Sequence, residues 1–139
     1  MAKRLMVVAH PDDEIIFGRA HLLKQKNWKV VCVTNGYNKT RAKEFAKVMK
    51  RIGAEYEIWN YKDTYSYRFN RGGLKRDLQK LVRRNRFKKV VTHGVQGEYG
   101  HPQHKVIGQI MRKIVKRNLY AFSTKEADSK SAPTKKTIT

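Results

Sequence analysis

The chain contains a single cysteine, Cys32, in 139 residues. One thiol cannot close an intrachain disulfide, and it excludes a cysteine-based zinc site. Cys32 lies within the apolar run Val30-Val31-Cys32-Val33, where it reads as a small buried hydrophobe. Long apolar runs are missing as well. No stretch approaches the ~20 consecutive apolar residues that a membrane-spanning helix needs. The segment after Met1-Ala2-Lys3-Arg4 holds five apolar residues, 5–9. That is too short for the core of a secretory signal, so the cytoplasm is the default expectation. Acidic residues are scarce: 11 Asp+Glu face 32 Lys+Arg, a net charge of +21. Such a field attracts polyanions, among them nucleic acid, anionic lipid headgroups, nucleotide sugars and acidic glycans. It does not specify a reaction, and a merely solvated basic surface accounts for the same count.

The length suits one domain with one core. Apolar runs without alternation occur at residues 5–9, 30–34 and 90–92, with a weaker one at 56–61. Runs of this kind suit strands buried on both faces of a parallel sheet. Between them lie helical stripes: Ile16, Ala20 and Leu23; Phe45, Val48, Met49 and Ile52; Leu74, Leu78, Leu81 and Val82; Ile107, Ile110, Met111, Ile114 and Val115. Each is the core-facing side of an amphipathic helix. The first helix is expected over residues 14–26, and Gly53 is expected to cap the second in a left-handed conformation. Alternation of strands and helices predicts an α/β, Rossmann-like three-layer sandwich. Its mostly parallel sheet would have four to five strands, residues 119–122 being the fifth, with helices on both faces. Residues 1–122 are read as the domain. Residues 123–139 have almost no large apolar side chain and are read as a flexible basic tail.

Sites in parallel α/β sheets form at the C-terminal ends of strands. His10-Pro11-Asp12-Asp13-Glu14 follows the first run. His93-Gly94 follows the fourth, in a loop that continues through Glu98 and Tyr99 to His101-Pro102-Gln103-His104. A zinc-like ion takes imidazole and carboxylate ligands, commonly three with a fourth position open. His10 and Asp13 are three apart at a strand-to-helix turn, and His101 and His104 are three apart at a helix start. Convergence of these groups on one sheet edge would hold an ion and leave Asp12 over as a general base. The acids after His10 also suit the N-terminus of a helix. In so basic a chain, however, three adjacent acids followed by none until Glu44 look placed.

Ala9-His10-Pro11-Asp12-Asp13-Glu14 together with Tyr99-Gly100-His101-Pro102-Gln103-His104 resembles the PIG-L/LmbE family of zinc-dependent de-N-acetylases. That family includes the N-acetylglucosaminyl-phosphatidylinositol deacetylases and the deacetylases of mycothiol and bacillithiol synthesis. Asn35-Gly36 and the run from Arg41 to Gly53 resemble its second βα unit, so the likeness covers roughly residues 4–118. The resemblance implies zinc, or alternatively ferrous iron, on His10, Asp13 and His104. It implies Asp12 as general base, His101 as acid or oxyanion stabiliser, and Tyr99 as a group that polarises the acetyl carbonyl. It places Arg41 and Asn35 toward substrate. The implied reaction is hydrolysis of an N-acetylated amino sugar to acetate and a free amine.

This chain departs from the pattern in two ways. Gln103 stands where many relatives carry Asp, so a carboxylate that orients a ligand is missing there. Relatives also usually continue well past the last helix. A different reading keeps the fold, weakens catalysis and lets the basic surface bind nucleic acid or an anionic membrane. Its motivation is the charge, including Arg71, Lys75, Arg76, Lys80, Arg83, Arg84, Arg86, Lys88 and Lys89 against Asp77 alone. His93 reads either as a support for a metal ligand or as a structural histidine. His21 is expected between helices or at the surface. Tyr56, Trp59, Tyr61, Tyr65 and Tyr67 suit strand and loop packing or sugar stacking.

Overall fold

Apolar strands with no polar face must be covered on both sides, and the helices do this. The computed structural model describes residues 2–122 and 131–133. In chain order the elements are β1 (Arg4–Val8), α1 (Asp13–Ile16), α2 (Arg19–Lys24), β2 (Trp28–Thr34), α3 (Lys39–Ile52) and β3 (Glu55–Tyr61). They continue with α4 (Arg71–Arg84), β4 (Lys89–Thr92), α5 (Pro102–Ile114), β5 (Leu119–Phe122) and β6 (Ser131–Pro133). The sheet order is β3-β2-β1-β4-β5-β6. The first five strands are mutually parallel, and β6 is antiparallel to β5. This is the expected Rossmann-like sandwich with one further, antiparallel strand.

Alternate strand residues feed two cores. Leu5, Val7, Val31 and Val33 pack with Leu74, Leu78 and Leu81 of α4 and Val106, Ile107 and Met111 of α5. Met6, Val8, Val30 and Cys32 pack with Phe17, Leu22, Phe45 and Met49 on the opposite face. Burial pushes the Cys32 thiol far up, so at neutral pH it behaves as the expected apolar residue. Among the described residues no helix is long and apolar enough to cross a membrane.

Local chemistry ends the helices where the chain must turn. Asn38 and Asn70 accept backbone N–H bonds from Arg41 and Gly73, capping α3 and α4. Gly53 closes α3 at φ 74°, as its position predicts. The first helix departs from expectation, because residues 14–26 form two short helices. Gly18 lies between them, and a Cβ there would sit 2.6 Å from the Met6 methyl carbon and 2.9 Å from the Glu14 carbonyl oxygen. The chain drops onto β1 at that glycine, and Phe17 turns its ring toward His93, His104 and Phe122. His21 lies half-buried, its ring edge-on to Trp28. Of the segment read as a flexible tail, residues 123–130 and 134–139 lie outside the described residues. Ser131–Pro133 form β6, an edge position that tolerates proline.

One contact ties the last helix to the sheet. A Cβ on Gly108 of α5 would lie 2.5 Å from the Gly94 carbonyl oxygen and 2.6 Å from that of His93. The helix therefore rests directly on the backbone leaving β4. Gly108→Ala is expected to destabilise the fold by about 1–3 kcal/mol through overpacking, despite alanine's better helix propensity. Urea unfolding monitored by circular dichroism measures this.

Candidate metal centre

The sheet order reverses between β1 and β4, which opens a crevice at their C-terminal ends. The loop after β1 supplies His10, Asp12 and Asp13, and the loop after β4 supplies His93, Glu98, Tyr99 and His101. The first turn of α5 supplies Gln103 and His104. His10, Asp13 and His104 are all buried, and each offers a ligand atom within 4.8 Å of the others. Asp13 Oδ2 lies 3.1 Å from His104 Nε2 and 3.5 Å from His10 Nδ1. It also accepts the His10 backbone N–H at 3.0 Å. The three residues expected to ligate a metal are thus brought together.

The surrounding hydrogen bonds set the ring tautomers. His93 Nε2 accepts the Ala9 N–H at 3.0 Å, so its proton is on Nδ1 and is donated to Glu98 Oε1 at 2.6 Å. His104 Nδ1 donates to the same Glu98 oxygen at 3.0 Å. The Glu98 carboxylate is itself held by the Gly94 N–H on Oε2. A neutral His104 therefore turns the Nε2 lone pair toward a carboxylate oxygen. That nitrogen is buried, and the Asp13 oxygen is the polar group it faces. Two electron-rich atoms facing one another at 3.1 Å require positive charge between or upon them.

The ionisation tendencies express the same demand. Burial alone would raise the Asp13 carboxyl. Hydrogen bonds with His10 and His104, and the positive charge of His104, outweigh burial and hold it far below the usual range. For Glu98, burial is overcome by His93 and His104, which bring the carboxyl down to about 2. For His104, burial opposes protonation, but hydrogen bonds to Asp13 and Glu98 push the ring up to about 9. The pocket is anionic around a buried imidazole nitrogen, and its oxygen and nitrogen donors suit a zinc-type cation.

His10 is supported from the other side. Its Nε2 lies 2.7 Å from Gln103 Oε1 and 3.3 Å from Asp63 Oδ1. The Gln103 amide is oriented by donating to the Lys62 carbonyl at 2.6 Å, while its Oε1 also accepts the Thr64 N–H. Gln103 therefore performs the orienting contact, and the neighbouring Asp63 brings the negative charge that glutamine lacks. Asn35 and Arg41 converge on Asp63. Asn35 Nδ2 donates to Asp63 Oδ2 at 3.0 Å, and Arg41 Nη1 lies 3.3 Å from the same oxygen. Arg41 Nη2 also donates to the Pro11 carbonyl. Asn35 is buried, so its amide is engaged inside the protein.

The three residues expected to do chemistry border the ligand set. Asp12 sits at the N-terminus of α1 at φ 84°, a left-handed conformation uncommon outside glycine, and its carboxylate makes no capping bond. It is exposed and not used to secure the helix. The His101 ring stacks on His104 with centroids 5.0 Å apart. His101 Nδ1 accepts the Gln103 N–H, which leaves its proton on Nε2. Burial, then the neighbouring His10 and His104, lower this ring to about 4 and keep it a neutral donor. Tyr99 is 63% exposed, with its ring 5.2 Å from His104. Tyr65, 72% exposed, places its ring 4.7 Å from His101.

Glu98 and Asp63 were not singled out by sequence reasoning, and the structure puts both against the ligand histidines. The available signal was scarcity, since each is an isolated acid in a strongly basic chain. If Glu98 fixes the His104 tautomer, Glu98→Gln keeps a hydrogen-bond acceptor and loses the charge. Metal affinity is then expected to fall by roughly 10-fold to 100-fold, measured by competition with a chromophoric chelator, with the circular dichroism spectrum unchanged.

Comparisons with known proteins agree with this architecture. Residues 5–115 match the PIG-L family, described as GlcNAc-PI de-N-acetylase. An uncharacterised protein of Acanthamoeba polyphaga mimivirus is 41% identical over 138 residues, covering 87% of this chain and 61% of its own length. The N,N'-diacetylchitobiose deacetylase of Pyrococcus horikoshii superposes with a TM-score of 0.70 at 20% identity, over 88% of this chain and 61% of that one. The 4-carboxy-2-hydroxymuconate hydratase of Pseudomonas putida superposes with a TM-score of 0.68 at 22% identity, over 87% of this chain and 65% of that one. At these identities the structural likenesses establish the fold. The chain spans less than two thirds of the length of each of these relatives.

Proposed function

The chain belongs to the PIG-L family, and on that premise we propose that it is a metal-dependent hydrolase that removes the acetyl group from an N-acetylglucosamine-type amino sugar. The observation that carries the reading is the buried His104 Nε2 facing Asp13 Oδ2 at 3.1 Å beside His10, with the exposed Asp12 adjacent in sequence and making no capping bond.

His10, Asp13 and His104 would hold the ion, with zinc as the first choice and ferrous iron as the alternative. A zinc-type ion there supplies Lewis acidity, which lowers the pKa of a coordinated water from its bulk value to about 7. Asp12 accepts the proton of the attacking water as oxygen bonds to the acetyl carbon. The His101 Nε2–H donates to the carbonyl oxygen as negative charge develops on it, and the Tyr99 hydroxyl is the second donor. The proton carried by Asp12 passes to the departing nitrogen as the C–N bond breaks, leaving acetate and a free amino sugar. Tyr65 and Tyr99 present exposed rings within 4.7 and 6.1 Å of the His101 ring, suited to stacking on a sugar. Arg41 and Asn35 act on the substrate side through Asp63, which they hold in place.

The test is acetate release from N-acetylglucosaminides, with and without an anionic aglycone. Release that stops on chelation and returns with added zinc or ferrous iron supports the reading. Purified protein that retains no divalent metal and shows no acetate release under metal supplementation overturns it.

A further inference from the structure

A second concave surface lies away from the ligand histidines, between the edge strand β3 and helix α4. It has a volume of about 840 Å³ and is lined by Ile58, Trp59, Asn60 and Tyr61 of β3, together with Asn70 and residues of α4. We propose that this groove binds single-stranded nucleic acid.

Three observations support the assignment. The floor is aromatic. Trp59 and Tyr61 are two apart on β3, so they share a face, and both are only half-buried against the core. The rim is cationic. Lys80, Arg83 and Arg84 line the groove and are exposed, and no salt bridge joins them to another described residue, although Arg84 lies close enough to Glu57 to favour its charge. Two carboxylates, Glu57 and Asp77, line the same groove, and both are already occupied. Glu57 is held by Lys29 Nζ and by Trp59 Nε1 at 2.9 Å, and Asp77 accepts the Tyr61 hydroxyl at 2.6 Å. Unpaired cations beside partly exposed rings, with the Asn60 and Asn70 amides between them, match a phosphate backbone whose bases stack on the rings. A flat anionic membrane would not use a concave aromatic floor. A single nucleotide would leave part of the charge unused, since exposed Arg76 continues the same basic face one turn earlier in the helix.

The experiment measures binding of fluorescein-labelled 12-mer single-stranded DNA and RNA by anisotropy, with the intact chain. Three neutralised phosphates predict a roughly 10-fold to 20-fold affinity loss between 50 and 200 mM salt. Half-buried Trp59 should be quenched on binding, whereas the emission of buried Trp28 should change little. The triple variant Lys80→Ser, Arg83→Ser, Arg84→Ser should lose most of the binding. A control triple at exposed α3 positions, Lys43→Ser, Lys47→Ser, Lys50→Ser, should lose little. Trp59→Ala should weaken binding by roughly 5-fold to 100-fold, and Trp59→Phe less. The proposal is overturned if the two triples weaken binding equally, if a mononucleotide binds as tightly as the 12-mer, or if anionic phosphatidylserine vesicles bind and the oligomers do not. Asp12→Asn should leave this binding unchanged, which separates its outcome from that of the hydrolase reading.

Discussion

Asp12→Asn is expected to lower kcat for acetate release by about 10²–10⁴-fold while the protein keeps its ion and its fold. Asparagine has nearly the shape of aspartate and also tolerates a left-handed backbone, so the φ of 84° at this position is preserved. What it loses is the ability to accept a proton from water. The carboxylate makes no capping bond in α1, so its removal leaves no structural gap to confuse the reading. Steady-state acetate release, with metal content measured on the same preparation, gives the answer. A variant that turns over at the parental rate would remove Asp12 from the mechanism and shift attention to the buried Glu14 beside it.

His104→Ala is expected to fail differently, losing the ion and the activity together. Its Nε2 is a buried nitrogen 3.1 Å from Asp13 Oδ2. Without the ring, two protein ligands remain. The loss of affinity should therefore exceed the roughly 10-fold to 100-fold expected for an outer-sphere change. Metal analysis after dialysis should find the parental protein loaded and the variant nearly empty, with turnover at background. The two variants together separate proton transfer from ion retention. Full metal occupancy in His104→Ala would show that the cation sits elsewhere.

The parallel strands at 5–9, 30–34 and 90–92 were legible because burial on both sheet faces demands apolar runs, whereas the edge strand at 56–61, with no buried residue, left only a weaker run. The break between α1 and α2 was not legible, because Gly18 interrupts a helical stripe for the sake of Met6, a residue twelve positions earlier. Strand β6 was not legible either. Ser131–Pro133 carry no strand pattern, and their backbone is ordered by pairing with β5. The clustering of His10, Asp13 and His104 could be read because such residues recur at short spacing beside strand ends. Asp63 and Glu98 could not, because each acts alone from a loop, and only folding brings it to a histidine. The glutamine at 103 predicted a missing carboxylate. In the folded chain Asp63 reaches the same imidazole from another loop.

The seating of α5 bears on how an ion would arrive. Gly108 rests on the carbonyls of His93 and Gly94, one helical turn beyond His104. The helix that carries His104 is therefore seated on the end of β4 by backbone touching backbone. Loading a site seated in this way should follow a single concentration-dependent phase in stopped flow, without a slower isomerisation behind it. Amide exchange in the first turn of α5 should change little between empty and loaded protein.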